Sequence, residues 1–118
     1  MMQKHILIVD DGNLGQIVLA EKLRHSGYLV SVAGNGKDAL ELLPTTMIDL
    51  IIVDIIMPIM DGGEFLIKLR NTDFNDTPTI VMTNFVEAAE LYEIQDYITK
   101  MDTSLDSIVT MVGNRLSN

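Results

Sequence analysis

Five polar residues stand at the ends of apolar runs. Asp10 and Asp11 follow Ile6-Leu7-Ile8-Val9, Asp54 follows Leu50-Ile51-Ile52-Val53, and Thr83 follows Thr79-Ile80-Val81-Met82. Lys100 lies just past Tyr97-Ile98. Runs that are apolar on consecutive residues and rich in Ile and Val fit strands buried on both faces, as in a parallel sheet. In such a sheet the carboxyl ends of the strands lie along one edge, the edge where open α/β sheets bind ligands. Three carboxylates, a hydroxyl and an ammonium are thus expected to converge there. Carboxylates that close repel one another unless a cation or a proton intervenes. With oxygen donors and no Cys, the matching cation is Mg²⁺, which uses few carboxylates and leaves positions for phosphoryl oxygens. Lys100 and the Thr83 hydroxyl suit the remaining oxygens, and a central carboxylate, best placed at Asp54, suits a nucleophile forming an acyl phosphate.

Taken singly, each residue has a plainer reading. An Asp after a strand is commonly a turn residue or helix cap, a Thr there a strand-end cap, and a lone Lys a solvated charge. His5 reads as an exposed strand start and His25 as a charge in the last turn of a helix. The eight Met residues read mostly as core fillers. The weight rests on the joint pattern, in which four strand ends on that edge each carry a compatible group.

The elements that must position these groups follow from spacing. Strands are expected at the runs above and at Leu29-Val30 with Val32-Ala33. Residues 13–26 predict a helix with Leu14, Ile17, Val18 and Leu23 near one face, Arg24 and His25 in the last turn and Gly27 as the stop. Residues 36–43 predict a shorter helix ended by Pro44. Residues 63–71 place Phe65, Leu66 and Leu69 together. Residues 104–116 place Leu105, Ile108, Val109, Val112 and Leu116 on one stripe, with Thr103 or Ser104 as cap. Between Met82 and Tyr97 only residues 83–96 are available for a crossover, so the fourth helix is expected to be short, near 86–94. Five strand–helix alternations predict an α/β three-layer sandwich, a five-stranded parallel sheet with helices on both faces, as one domain over residues 1–118.

Composition excludes other classes. The 118 residues carry 8 Lys plus Arg against 17 Asp plus Glu, a net charge of −9 that repels phosphate backbones and anionic membranes, so no direct nucleic-acid or membrane partner is expected. The absence of Cys removes disulfides, redox thiols and thiolate metal sites. A hydrophobic content of 47% argues against disorder. No apolar run approaches a membrane span, and the first residues lack a secretory pattern, so a cytoplasmic location is expected.

These residues resemble the receiver domain of two-component response regulators over essentially the whole chain, in its single-domain, chemotaxis-regulator-like form. The resemblance rests on Ile6–Asp11, on Leu50–Gly62, on Thr83 and on Asp96-Tyr97-Ile98-Thr99-Lys100. Most specific is Asp-x-x-Met-Pro-x-Met-Asp-Gly over 54–62. It implies a flavodoxin-like fold with strand order 2-1-3-4-5 and a phosphorelay function. Asp54 would be the phospho-acceptor. Mg²⁺ would be held by Asp11, Asp54 and the backbone carbonyl of Ile56, with Asp10 acting mainly through metal-bound water. Thr83 would bond a phosphoryl oxygen, Lys100 would pair with the phosphoryl group, and Tyr97 would turn inward as Thr83 moves. Pro58 and Gly62 would shape the loop after the acceptor. Partners would be a histidine kinase or histidine phosphotransfer protein as donor and a downstream protein as target, with the chain a monomer or weak dimer. Ile56 and Phe85 stand two residues after the acceptor and the switch threonine, positions that flank the hydrolytic water in this family. Both are apolar, so slow self-dephosphorylation is expected. The chain departs from the family at Met101, where many receivers have a proline in cis linkage, at Asn84, where Ala is usual, and in its short fourth helix.

Other functions fit less well. A receiver-like module that binds partners without phosphorylation is the alternative, but it has no use for clustered carboxylates. A phosphatase of the haloacid dehalogenase type needs a second Asp two residues past the nucleophile, where Ile56 stands. No G-x-G-x-x-G or P-loop pattern follows a strand. The domain is expected to assist only its own phosphorylation and dephosphorylation, and not to be an enzyme acting on a metabolite.

Overall fold

In the computed structural model, residues 3–12, 14–55, 57, 59–84, 86–91, 97–100 and 102–117 are described. Five strands, β1 (His5–Val9), β2 (Leu29–Ala33), β3 (Leu50–Asp54), β4 (Thr79–Thr83) and β5 (Tyr97–Thr99), alternate with five helices. The helices are α1 (Leu14–His25), α2 (Gly36–Leu42), α3 (Gly62–Leu69), α4 (Val86–Leu91) and α5 (Leu105–Leu116), with a 3-10 turn at Leu43–Thr45 around Pro44. The strands form one sheet in the order β2-β1-β3-β4-β5. Every pairing is parallel, with Val9 opposite Ala33 and Val53, and Asp54 opposite Met82. The expected three-layer α/β sandwich is therefore present, with its strand order.

Alternation along the strands divides the core in two. Leu7, Val9, Ile51, Val53 and Val81 face α2, α3 and Ala89 of α4, where Phe65 is fully buried. Ile6, Ile8, Leu50, Ile52, Ile80 and Met82 face α1 and α5, meeting Leu23, Ile108 and Val112. A strand with both faces covered has no polar face, which is why the sequence shows unbroken apolar runs and not alternation.

Helix ends follow local chemistry. The Asn35 side chain accepts from Asp38 N, Asp61 from Glu64 N and Ser104 from Ser107 N, each at an N-terminus. Ser104, not Thr103, thus caps α5. Helix α1 is turned differently from its expected face. Leu19, Ala20 and Leu23 pack inward with Gln16, while Ile17 and Val18 are 52% and 42% exposed. Positions 16, 19, 20 and 23 form a true i, i+3, i+4, i+7 stripe, and the small Ala20 lets the helix approach the sheet. Helix α4 starts at Val86 as expected and is described to Leu91; residues 92–96 lie outside the described residues. His5 is half-buried, not exposed, its Nε2 lying 2.7 Å from Ser31 Oγ on the neighbouring strand.

Candidate functional site

The parallel register brings Asp10, Asp54, Thr83 and Lys100 to the carboxyl edge of the sheet, where they lie beside one another. Asp10 continues β1, its backbone N–H donating to the Ala33 carbonyl at 3.0 Å. Asp54 and Thr83 end β3 and β4, and the Lys100 backbone N–H donates to the Thr83 carbonyl at 3.1 Å. That last bond fixes Lys100 over the site. Its Nζ donates to Asp54 Oδ2 at 2.7 Å and to Asp10 Oδ2 at 3.0 Å. One ammonium thus bridges carboxylates 46 and 90 residues away in sequence.

These are shielded ion pairs, with Asp10, Asp54 and Lys100 side chains 8%, 11% and 22% exposed. Burial raises the Asp10 carboxyl above its ordinary value, as does a side-chain hydrogen bond with Asp11 that needs a proton between two carboxyls. Lys100 lowers it and the charge of Asp54 raises it, without reversing the outcome. For Lys100, burial disfavours the ammonium, but hydrogen bonds to Asp54 and Asp10, with their charges, outweigh it and lift it above its usual range. A single cation therefore does not fully offset the acidic set.

Thr83 is fully buried, and Tyr97, the first residue of β5, is half-buried against the core cluster of β1, β3 and β4. Asp11 is exposed at the rim. Ile56, Pro58, Phe85, Asp96 and Met101 lie outside the described residues. Among the described residues no three acidic or imidazole side chains close on one point; the Lys100 ammonium stands between Asp10 and Asp54 instead. The donor chemistry nonetheless fits a hard divalent cation: the acidic groups at this edge offer only oxygens, and their negative charge is incompletely offset.

The loop after Asp54 depends on two contacts that spacing alone does not show. The Gly62 backbone N–H donates to the Ile55 carbonyl at 2.7 Å. A Cβ on Gly62 would overlap the Asp54 backbone and lie 2.7 Å from Ile55 Cα, so only glycine fits. In the same loop Ile59 holds a positive φ of 67°. Beside the acids a recess of about 470 Å³ opens between α1 and α5, with Gln16 and Asn84 on its lining. Gln16 escaped the sequence reading because nothing in its local pattern marks it as buried.

A parallel five-stranded sheet carrying a lysine-bridged acid pair at the ends of β1 and β3 defines a receiver-type α/β fold. The response regulator receiver domain model matches residues 6–112, and the chain belongs to that family. It is 37% identical over 107 residues to a probable transcriptional regulator, ycf27, of Cyanidium caldarium, covering 91% of this chain and 40% of that one. It is 34% identical over 114 residues to an uncharacterized 14.6 kDa protein of Leptolyngbya boryana, covering 92% and 87%. The chain spans less than half the length of several relatives it matches, including response regulator MprA of Mycolicibacterium vanbaalenii at 35%. Among solved structures, the signal receiver domain of a histidine kinase from Syntrophus aciditrophicus superposes with a TM-score of 0.86 at 31% identity, covering 97% of this chain and 90% of that one. Response regulator TrrA of Thermotoga maritima, solved in complex with Mg(2+)-BeF, superposes at 0.82 with 28% identity, covering 97% and 100%. No helix among the described residues is long and apolar enough to cross a membrane.

Proposed function

We propose that residues 1–118 form one phosphorelay receiver whose phospho-acceptor is Asp54. The observation that carries this reading is the Lys100 ammonium held 2.7 Å from Asp54 Oδ2 by a backbone bond to Thr83. The donor is a phosphohistidine on a histidine kinase or phosphotransfer protein. An Asp54 oxygen attacks phosphorus, the N–P bond breaks as the O–P bond forms, and the electron pair and then a proton go to the departing imidazole. Lys100 follows the new negative charge from carboxylate to phosphoryl oxygen, and the Thr83 hydroxyl donates to another. Asp11, Asp54 and the Ile56 carbonyl would hold Mg²⁺, with Asp10 acting mainly through its water. When bound, the ion supplies charge neutralisation for the phosphoryl oxygens.

The switch is a population shift. Thr83 moves toward the phosphoryl group, Tyr97 turns further inward, and a surface that binds a downstream protein changes. The domain assists only its own phosphorylation and dephosphorylation; it contacts protein rather than nucleic acid or membrane, is cytoplasmic, and is a monomer or weak dimer. Ile56 and Phe85 make the phospho-form long-lived by offering no group to orient water.

The test is beryllofluoride with Mg²⁺ added to the wild type and to Asp54→Asn, followed by backbone amide shifts. Shifts at Thr83 and Tyr97 in the wild type alone are the expected result. A silent wild type would instead favour a module that binds partners without phosphate.

A further inference from the structure

We propose that the recess between α1 and α5 binds a small molecule with an apolar stem and a protonated amine head. Its volume of about 470 Å³ falls in the range of small-molecule sites. Leu19 of α1, Ile52 and Met82 of the sheet and Leu105 and Ile108 of α5 line it. Leu19, Ile52, Met82 and Ile108 are only 2–7% exposed and form the closed floor of the recess, while the half-buried Leu105 supplies its more accessible apolar surface. An apolar stem lying along Leu105 over that floor loses water contact on the side it covers.

The polar groups lie at one end. Asp10, Asp54 and Lys100 line the recess at the carboxyl edge of the sheet. Ile52 lies two residues before Asp54 on the same strand, so the apolar floor begins about 6–7 Å from the acids. Charge decides the head group. Two carboxylates share the one ammonium of Lys100, with Asp11 hydrogen-bonded to Asp10 beside them. An anionic head meets a cation already engaged by two acids and a chain of net charge −9. A protonated amine instead meets the acidic surplus, and the Thr103 hydroxyl, also on the lining, can accept from it.

This site does not depend on phosphorylation of Asp54. Only its consequence rests on the proposed function: an amine at Asp10 and Asp54 competes with Mg²⁺, so occupancy would oppose phosphorylation.

The experiment is an NMR titration of the metal-free chain at low salt with n-hexylammonium, n-hexanol and hexanoate. The amine is expected to bind about tenfold tighter than either other probe. Its methylenes should give NOEs to Leu19 and Ile108 methyls in the unmodified protein. Leu105→Trp, which fills the recess from α5, should weaken it by about tenfold. Hexanoate binding as well as the amine overturns the head-group assignment. Absent saturable amine binding, NOEs confined to Ile17 and Val18, or undiminished affinity in a folded Leu105→Trp overturns the site. Should that variant not fold, the NOEs decide. A separate Mg²⁺ titration without amine reports on the metal site, so failure of either reading is seen independently.

Discussion

At the scale of single residues, the site carries charge that is only partly compensated. Asp10 is buried beside Asp11 and Asp54 with one ammonium to share, and its carboxyl is raised above the ordinary 3.8. An acid raised on folding contributes stability below its unfolded value, and that contribution is lost as pH rises through the folded value. Near neutral pH the ionised Asp10 therefore costs stability in the metal-free protein. Asp10→Asn should raise Tm by several degrees without metal, corresponding to about 1 kcal/mol in a domain of this size. The same substitution should weaken Mg²⁺ binding. A fall in Tm would show instead that the Lys100 pair outweighs burial. Gly62 is constrained by shape rather than charge. Gly62→Ala must push a methyl into the Asp54 backbone, and a loss of about 2–3 kcal/mol in chemical denaturation is expected. A loss below about 0.5 kcal/mol would show that the loop can yield.

At the scale of elements, what was legible in the sequence depended on how local its cause is. The runs at 6–9 and 50–53 announced strands because burial on both faces leaves no position for a polar residue. The N-caps at Asn35, Asp61 and Ser104 are three-residue interactions, and Ser104 was visible as one of two choices. The facing of α1 was not legible, because the exposed Ile17 and Val18 are more apolar than the buried Gln16 and Ala20. The strand order came through resemblance, since no local pattern says which parallel strands are neighbours. The convergence of Asp10, Asp54 and Lys100 was legible from strand ends, but the lysine bridge was not, being a contact across 46 and 90 residues.

Helices α1 and α5 are tied at the surface by Lys22 Nζ and Asp106 Oδ1, 2.8 Å apart. The hydrogen bond and charge of Lys22 hold the Asp106 carboxyl below 3.8. A lowered carboxyl contributes stability above its unfolded value and loses it as pH falls through the folded one. Asp106→Asn should therefore lower Tm slightly at neutral pH, with the difference closing as pH falls below about 3.8. A difference that grows on acidification would assign the effect to helix packing.

At the scale of the whole molecule, the net charge of −9 sets how the protein responds to any cation. Self-repulsion destabilises the compact state, so added NaCl should raise Tm by screening alone. Mg²⁺ would do the same without any specific site, and the comparison must be made at equal ionic strength. A site that binds the ion only when folded adds RT ln(1 + [L]/Kd), about 1.4 kcal/mol at ten times Kd. For a domain of this length that is roughly 3–6 °C beyond the NaCl curve. Asp54→Asn should keep the NaCl response, because the fold's total charge scarcely changes, and lose most of the Mg²⁺ excess. If Mg²⁺ and NaCl superpose for the wild type, the acids at the sheet edge act only as diffuse charge, with Lys100 as their standing counter-ion. If the excess appears and vanishes in the variant, the ends of β1 and β3 together position a metal site that neither strand could build alone.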